Sequence, residues 1–497
     1  MFCRVPVYFS ASIFRPVPRR VSALPPLNGF RTLVKQSMNS SIRFRLFLMM
    51  ILEFFIWGCW LPLIYGYLPS LGFSSSEPPH AIARFIPHEL WFLFSEQSLI
   101  LNAFPVAAVV GMFFSNQFAD RSFSAERYLA FSHLVGGVAI LLLAFTTTFW
   151  PFFALMLVHC LLYVPTNSIA NSVAFANIKD PQKEFGLIRV GGTIGWILAA
   201  WPFTFILVDW DKVHAANPQG LVKWLGTVLG SGLTGEALQR GTRSTYIVAG
   251  IASLILAAYS LALPHTPPKK VEKGADRFAW LEAIKLLRQP FVLVLWLVTF
   301  VDAFILYSYF NWTATFLGTK PEAGGVGITG NWIMPVMSLG QIAEMLTMFI
   351  LGATLKRLGW RLTMVIGILG HAARFAIYAF FPHALPVIVI QLVHGICYAF
   401  FFATVYIFAD EYFPKDVRAS AQGLFNVMVL GIGALVANSV CPYLIQQVFT
   451  HNGVTDFRTM FLVPMLASLL AAIALALFFH PPAKKQSAPT ARDAVTV

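Results

Sequence analysis

The sequence predicts an all-α membrane protein with twelve transmembrane helices in two six-helix bundles. Three observations support this fold class. Of the 497 residues, 57% are hydrophobic and 11% are charged, and the mean hydropathy is +0.70, which lies outside the range of soluble globular domains. Twelve apolar runs are each long enough to cross a hydrocarbon core of about 30 Å. A basic segment after the sixth run divides the twelve into six and six.

The predicted spans also fix a topology. Their approximate bounds are 44–69, 97–118, 127–147, 149–176, 185–208, 245–263, 290–315, 331–352, 361–381, 385–408, 418–446 and 459–479. An even number of spans places both ends of the chain on the same side of the membrane. Lys and Arg concentrate in the segments on that side, so the positive-inside rule predicts cytoplasmic termini in a multi-pass protein of the cell inner membrane.

The segments outside the spans complete the predicted domain organisation. Residues 1–40 are basic and contain no acid, which predicts a disordered extension; a targeting peptide and a start assigned too early, with Met38 as the true first residue, are the alternatives. The remaining units, in chain order, are a bundle at 41–263, a cytoplasmic linker at 264–289, a bundle at 290–480 and a cytoplasmic tail at 481–497.

Composition and motifs exclude several classes of protein. The formal net charge of +13 is explained by the topology of a membrane protein, so no nucleic-acid partner is predicted. The five cysteines are scattered, with no CxxC pair and no His cluster, which argues against a disulfide framework, a metal site or redox chemistry. No HExxH motif, paired catalytic aspartates or Ser/His dyad is present, so we predict neither an enzyme nor a cofactor.

Arg189 is a cation within the apolar run 185–208. Placing a guanidinium at bilayer depth costs at least ~2.5–3.5 kcal/mol, so such a residue normally faces a polar cavity or a partner. Thr193 and Trp196 follow at helical spacing on the same face. Together they predict the wall of a binding site for a polar molecule with a flat ring. The alternative is an arginine near the inner end that snorkels or pairs with an acid elsewhere.

Two further polar groups share a face in the span 331–352. Gln341 and Glu344 are three residues apart, which places an amide and a carboxyl side by side on a helix. This pair suits a ligand that offers several hydroxyl and amide groups, and Glu344 is also a candidate proton carrier. A purely structural role for Glu344 is the alternative.

Two other acids lie within the predicted spans. Glu53 is interpreted either as a proton carrier or as a hydrogen-bonding partner of a neighbouring helix. Asp302 is a third candidate for proton coupling, and Tyr307 and Asn311 follow it at helical spacing as candidate substrate contacts.

The spans 361–381 and 385–408 each carry one basic or titratable side chain. Arg374 is interpreted as structural and is expected to be held by a fixed partner acid. His394 and Tyr398 share a face and are candidate substrate contacts; a buried histidine with satisfied hydrogen bonds is the alternative.

Eight short blocks, taken in chain order, resemble a known family. They are Trp57-Gly58-Cys59-Trp60-Leu61, Tyr163-Val164-Pro165-Thr166, Ile188-Arg189-Val190-Gly191-Gly192-Thr193-Ile194-Gly195, Leu263-Pro264-His265-Thr266-Pro267, Gln341-Ile342-Ala343-Glu344, Arg374-Phe375-Ala376, Arg418-Ala419-Ser420-Ala421-Gln422-Gly423 and Asn452-Gly453-Val454-Thr455-Asp456. As a set they resemble the bacterial nucleoside:proton symporters of the major facilitator superfamily, over about residues 38–479.

The resemblance implies the major facilitator fold, with two pseudo-symmetric bundles and a central nucleoside site coupled to protons. By position, Arg189 and Thr193 match site residues of this family, Trp196 stands where the family has another aromatic, and Gln341 and Glu344 match a further pair.

The sequence also departs from the family pattern. His394 and Tyr398 stand where the family has two aromatics, and the family's glutamine and asparagine fall at or near Tyr307 and Phe310, with Asn311 one place off. The acid that the family carries near this point is replaced by Ala399, and Glu53 stands where a glutamine is usual.

These observations predict a secondary active transporter that imports nucleosides with protons by alternating access about a central site. The expected partners are a nucleoside, protons and the lipid bilayer, and the chain is expected to work as a monomer. The alternative function is transport of another small polar metabolite, such as a sugar, which is motivated by the altered residues around Tyr307.

Overall fold

The computed structural model describes residues 41–114, 124–178, 181–267, 284–413 and 418–481. The predicted extension at 1–40, most of the linker at 264–289 and all but the first residue of the tail at 481–497 lie outside the described residues.

The first half of the chain contributes six long helices. They are α1 (Ser41–Ser70), α2 (Ala103–Phe114), α3 (Ala125–Leu143), α4 (Phe149–Ala176), α5 (Pro181–Ala200) and α6 (Gly235–Ser260). A shorter helix, Glu96–Leu101, leads into α2. Helix α6 begins ten residues before its predicted span because a polar segment, 235–244, continues the helix beyond the apolar run.

The second half contributes five long helical segments. They are α7 (Pro290–Gly318), α8 (Gly330–Phe380), α9 (Ala384–Tyr412), α10 (Ala421–Val448) and α11 (Phe457–Phe478). Helix α8 contains two predicted spans, which are separated by a kink at Gly359, whose φ of 68° favours a residue without a Cβ. Segments of π-helix, Tyr398–Ala403 in α9 and Val427–Ile432 and Leu444–Val448 in α10, interrupt the α-helical hydrogen bonding.

Short elements occupy the loops. They are the helices His80–Ala83, His88–Phe94, Phe203–Ile206, Trp210–Ala216, Leu221–Gly230 and Pro321–Ala323, and a two-stranded antiparallel hairpin of β1 (Thr450–His451) and β2 (Val454–Thr455). The predicted orientation places these loops outside the cell, and we refer to this end of the molecule as the outer end.

All twelve predicted spans overlap helices. Within the described residues, nine helices are long and apolar enough to cross a membrane, or ten if the bent pair His88–Phe94 and Glu96–Gly111 is one span. The kinked α8 counts once in this total although it contains two predicted spans. The fold class is confirmed as a mostly helical membrane architecture, and the number twelve stays a prediction.

Glycines let neighbouring helices approach closely. A Cβ at Gly191 of α5 would lie 2.7 Å from the backbone oxygen of Phe47 in α1, and one at Gly195 would collide with the backbone of Ile51. The same device brings α8 and α9 together, because a Cβ at Gly395 would collide with the backbone of Ala343. These contacts fix the two helix pairs that carry the polar side chains described below.

Hydrogen bonds join the two halves at the outer end. Gln97 and Gln446 exchange a pair of amide hydrogen bonds at 2.9 and 3.1 Å. Asn438 donates to the backbone oxygen of Leu101 at 3.1 Å, and Asn102 donates to Ser439 Oγ at 2.9 Å. The two halves are therefore closed against each other at this end of the molecule.

Candidate functional site

A cavity of ≈330 Å³ lies between the two halves. Its size is within the range of small-molecule sites. The residues that line it come from α1, α2, α4 and α5 of the first half and from α7, α8, α9 and α10 of the second. They are Phe54, Trp57, Leu61, Phe104, Val164, Asn167, Asn171, Arg189, Gly192, Thr193 and Trp196, and Leu306, Tyr307, Phe310, Gln341, Glu344, His394, Tyr398, Phe402, Tyr406, Val429 and Leu430.

The three residues predicted on α5 all reach this central cavity. Arg189 lies in it rather than at the lipid surface, and its guanidinium carbon is 4.3 Å from the ring centroid of Phe54. This is a cation–π contact, which holds the cation against the cavity wall. Thr193 and Trp196 line the cavity on the same face of α5, as their helical spacing predicted.

Aromatic rings form the wall around Trp196. Its ring meets that of Trp57 edge to face with centroids 5.1 Å apart, and Trp57 stacks on Phe104 at 4.8 Å. Phe54 lies 6.3 Å from Trp57. Offset and edge-to-face packing of this kind fixes the rings and leaves an apolar surface on which a flat ligand can lie.

The second half supplies most of the polar wall. Tyr307, Gln341, Glu344, His394 and Tyr398 all line the cavity, so five predicted residues from three helices converge there. Glu344 faces the positive charge of Arg189, which acts on it electrostatically. The Gln341 side-chain oxygen is buried and has no hydrogen-bond partner among the described residues. This wall therefore offers a carboxylate, a free amide oxygen and phenol hydroxyls to a ligand.

Asn311 lies outside the central cavity. It lines a second cavity of ≈180 Å³ nearer the outer end. Its amide donates to the backbone oxygen of Tyr307 at 2.9 Å and to Asn438 Oδ1 at 3.0 Å. Tyr307 and Asn311 share a helix face, but the turn between them is about 6 Å along the axis, which carries Asn311 past the cavity.

Glu53 lies in the protein interior and does not line the central cavity. Its carboxylate accepts a hydrogen bond from Thr166 Oγ1 at 2.6 Å, and its second oxygen is 2.8 Å from His133 Nε2. The other ring nitrogen of His133 is 3.3 Å from Ser253 Oγ. The group is fully buried and joins α1, α3, α4 and α6.

Asp302 is also buried away from the cavity. Its carboxylate is 3.7 Å from His371 Nε2 and has no hydrogen-bond partner among the described residues. Arg374 acts on it electrostatically.

Arg374 does not form the close salt bridge that its sequence position predicted. Its guanidinium donates to His394 Nδ1 at 3.0 Å and to Cys397 Sγ at 3.4 Å, and it lies 4.3 Å from the ring centroid of Tyr309. The expected acid within 4 Å is absent from the described part of the chain because neutral groups occupy those positions. His394 thus accepts a bond from Arg374 on one side and lines the cavity on the other.

Some lining residues were not predicted from the sequence. The main ones are Asn167 and Asn171 on α4, Phe54 and Trp57 on α1, and Tyr406 on α9. For the asparagines a signal existed, because two amides four residues apart in an apolar run share a helix face. The aromatic residues carried none, since rings at helical spacing are common in any buried helix.

The sequence matches a known family over most of its length. The family model described as nucleoside H+ symporter matches residues 40–235 and 232–484. YegT of Escherichia coli K12, named for nucleoside transport, is 29% identical over 448 residues, covering 88% of this chain and 93% of that protein. Xanthosine permease of the same organism is 26% identical, covering 89% and 98%.

Solved structures share the fold. The crystal structure of the nucleoside transporter NupG has a TM-score of 0.70 at 23% identity, and covers 89% of this chain and 100% of that one. The xylose transporter XylE from E. coli has a TM-score of 0.56 at 14% identity, covering 89% and 98%. The architecture is that of the major facilitator transporters. This chain belongs to the nucleoside H+ symporter family.

Proposed function

We propose that this protein carries nucleosides and protons together across the cell membrane and binds the nucleoside in the central cavity. The observation that carries the proposal is the cavity itself, where Arg189 of the first half and Glu344 of the second face one space lined with aromatic rings. A cavity shared between two halves is the arrangement that alternating access requires. Membership of the nucleoside H+ symporter family supports the choice of cargo.

The two walls of the cavity suit the two parts of a nucleoside. Ribose hydroxyls would bind Gln341 and Glu344, whose oxygens accept hydrogen bonds. Arg189 and Thr193 would bind further polar groups of the ligand. Trp196 and Tyr398 would pack on the base, and Tyr307 and His394 would complete the polar wall.

Alternating access would break the hydrogen bonds at the outer end. Two contacts tie the halves together there: the paired amides of Gln97 and Gln446, and the bond from Asn438 to the backbone of Leu101. When this end opens, water can take the place of each lost hydrogen-bond partner. A substrate that contacts both walls draws them together, so bound nucleoside favours states in which the halves close around it.

Proton coupling would involve Glu344 in the cavity and Glu53 behind the aromatic wall. Glu344 can exchange a proton in the cavity where the substrate binds, and it interacts electrostatically with Arg189. Glu53 can exchange one with His133, which lies 2.8 Å away. Asp302, the third acid predicted for coupling, lies in the field of Arg374 instead, and we propose that it serves as the counter-charge of that cation.

The positive-inside distribution of Lys and Arg supports an inner-membrane location with both termini in the cytoplasm. A cysteine placed in the outer loop at Glu322, which is exposed, should react with an impermeant thiol reagent added to whole cells. The native cysteines in the described segments are all buried. If the cysteine reacts only after the membrane is broken, the loop lies in the cytoplasm and the predicted orientation is wrong.

The proposal is tested with Glu344→Gln in a proteoliposome assay. Glutamine keeps the size of the side chain but cannot release a proton, so gradient-driven accumulation of uridine should be abolished. The matched control is Glu322→Gln, which makes the same change at an exposed acid outside the membrane and should accumulate uridine normally. Accumulation at the wild-type level by Glu344→Gln would refute the role assigned to this carboxylate.

Counterflow separates the nucleoside from the alternative cargo. Wild-type liposomes preloaded with unlabelled uridine should exchange it for labelled uridine, whereas preloading with a panel of sugars should give no exchange. Exchange against a sugar and not against uridine would establish the alternative function.

A further inference from the structure

Two asparagines of α4 face the central cavity without hydrogen-bond partners for their oxygens. Asn167 and Asn171 are four residues apart, so they form a short ladder of amides along one face of the helix. The side-chain oxygens of both are buried and accept no hydrogen bond from any residue that the structure describes.

Two nearby polar side chains, Thr166 and Asn177, do have hydrogen-bond partners. Thr166, next to Asn167, points away from the cavity and donates to Glu53 at 2.6 Å. Asn177, at the end of the helix, donates to the backbone of Val173 and to Thr266 Oγ1, both at 2.9 Å. By contrast, the amide of Asn167 donates a long bond, 3.5 Å, to the backbone of Val164 and contacts the Tyr163 hydroxyl, while its oxygen accepts no bond in the described residues. Buried polar groups normally find partners, so the two cavity amides are suited to a ligand.

The chemistry of the two walls indicates which part of a nucleoside these amides would meet. The aromatic wall of Trp57, Phe104 and Trp196 belongs to the first half, as does α4. Asn167 and Asn171, which can both donate and accept, line the same half, so they are available to the polar edge of a base that lies on those rings. The carboxylate of Glu344 and the amide of Gln341 lie on the opposite wall, where ribose hydroxyls would bind.

We infer that Asn167 and Asn171 bind the hydrogen-bonding edge of the nucleobase and set the base preference of the transporter. An asparagine amide pairs a donor with an acceptor, which is the complement of a base edge that also carries one of each. This inference rests on the proposed function. It assigns to α4 a role in specificity that is separate from the contacts of α5 and α8.

Uridine and cytidine provide the test because they share a ribose and differ in one edge. Uridine offers an N3 proton and an O4 acceptor, whereas cytidine offers an N3 acceptor and an N4 amino group. Asn167→Asp and Asn171→Asp replace a donor with an acceptor and should favour the amino group of cytidine. In at least one of these variants the ratio of cytidine to uridine counterflow should rise by about fivefold or more over wild type.

The ratio within each variant is independent of how much protein reaches the membrane, so partial loss of folding does not obscure the result. Asn167→Ala and Asn171→Ala, which remove donor and acceptor together, should move the wild-type ratio toward one. Asn177→Asp is the matched control, because it makes the same change at the residue that follows α4, outside the cavity, and its ratio should equal that of wild type.

The inference is overturned if all four cavity variants keep the wild-type ratio of cytidine to uridine counterflow within about twofold. It is also overturned if they reduce the counterflow of both nucleosides by the same factor, which would indicate a structural role. Failure of the proposed function has a different signature, since wild-type protein would then exchange neither nucleoside. Gln341→Ala sharpens the contrast, because loss of a ribose contact should reduce uridine and cytidine counterflow by the same factor.

Discussion

The two halves each bury an acid beside a histidine at corresponding positions, yet the surroundings of the two acids differ. Glu53 lies on α1, the first long helix of the first half, and Asp302 lies on α7, the first long helix of the second half. His133 of α3 approaches Glu53 at 2.8 Å, and His371 of α8 approaches Asp302 at 3.7 Å. All four side chains are buried. Such a correspondence is expected of transporters built from internal structural repeats.

The two acids differ in the side chains that surround them. Glu53 accepts a hydrogen bond from Thr166 and contacts an imidazole, and no arginine or lysine approaches it within 4 Å in the described residues. Asp302 accepts no hydrogen bond there but lies in the field of the fully buried Arg374. An imidazole can lose its proton at physiological pH, whereas a guanidinium in a protein cannot.

This comparison indicates how a duplicated pair can take two roles. In the first half, a proton can pass between the acid and the histidine, so the pair can exist as an ion pair or as two neutral groups with the same total charge. In the second half the nearby cation is permanent, and we propose that the acid balances it. We therefore expect Glu53 to affect coupling and Asp302 to affect stability.

The largest expected effect is that of Asp302→Asn. Removing the acid takes away the proposed counter-charge of the buried Arg374, which should lower the free energy of unfolding by up to about 3–5 kcal/mol, the loss expected when a buried ion pair is broken. The measurement is thermal unfolding of the purified protein in detergent.

The double variant Asp302→Asn with Arg374→Met removes both charges and should recover much of that loss. If Asp302→Asn alone unfolds at the wild-type temperature, the assignment of Asp302 as a counter-charge is wrong.

The matched change in the first half, Glu53→Gln, should spare stability and lower gradient-driven accumulation of uridine by at least about tenfold. The glutamine oxygen can still accept from Thr166 and its amide can donate to His133, so the local structure is kept. Counterflow, which needs no net proton movement, should continue.

Two outcomes would remove the distinction between the halves. One is full accumulation by Glu53→Gln under an inward proton gradient. The other is a loss of stability in Glu53→Gln as large as the loss in Asp302→Asn.

The smallest expected effect is that of Thr166→Val, which removes one hydrogen bond to Glu53 and should cost about 1–2 kcal/mol of stability. The control is Thr299→Val, because Thr299 is equally buried in α7 but donates only to the backbone of Leu295 in its own helix. A larger effect at Thr299 than at Thr166 would show that the bond to Glu53 adds nothing.

Much of this architecture could be predicted from the sequence because apolar run length determines where helices cross a bilayer. The face of α5 that carries Arg189, Thr193 and Trp196 was also predictable, since it depends only on helical spacing within one segment. Contacts within a single helix are thus accessible to sequence reasoning.

Contacts between distant helices were less accessible. Nothing near Glu53 in the sequence indicates that His133 and Thr166 are its neighbours, because those residues lie on α3 and α4. The hydrogen-bond partners of Arg374 are a histidine and a cysteine of α9, and the acid that we propose as its counter-charge, Asp302, lies on α7. Asn311 shares a helix face with Tyr307 but lies one turn too far along the axis to reach the cavity.

Uridine accumulation by wild-type proteoliposomes, measured with and without an inward proton gradient, tests the central claim most directly. The account predicts accumulation above the external concentration only when the gradient is present, and its collapse when a protonophore is added. Equal uptake with and without the gradient, or no uridine uptake in either condition, would contradict a central cavity that moves nucleosides and protons together.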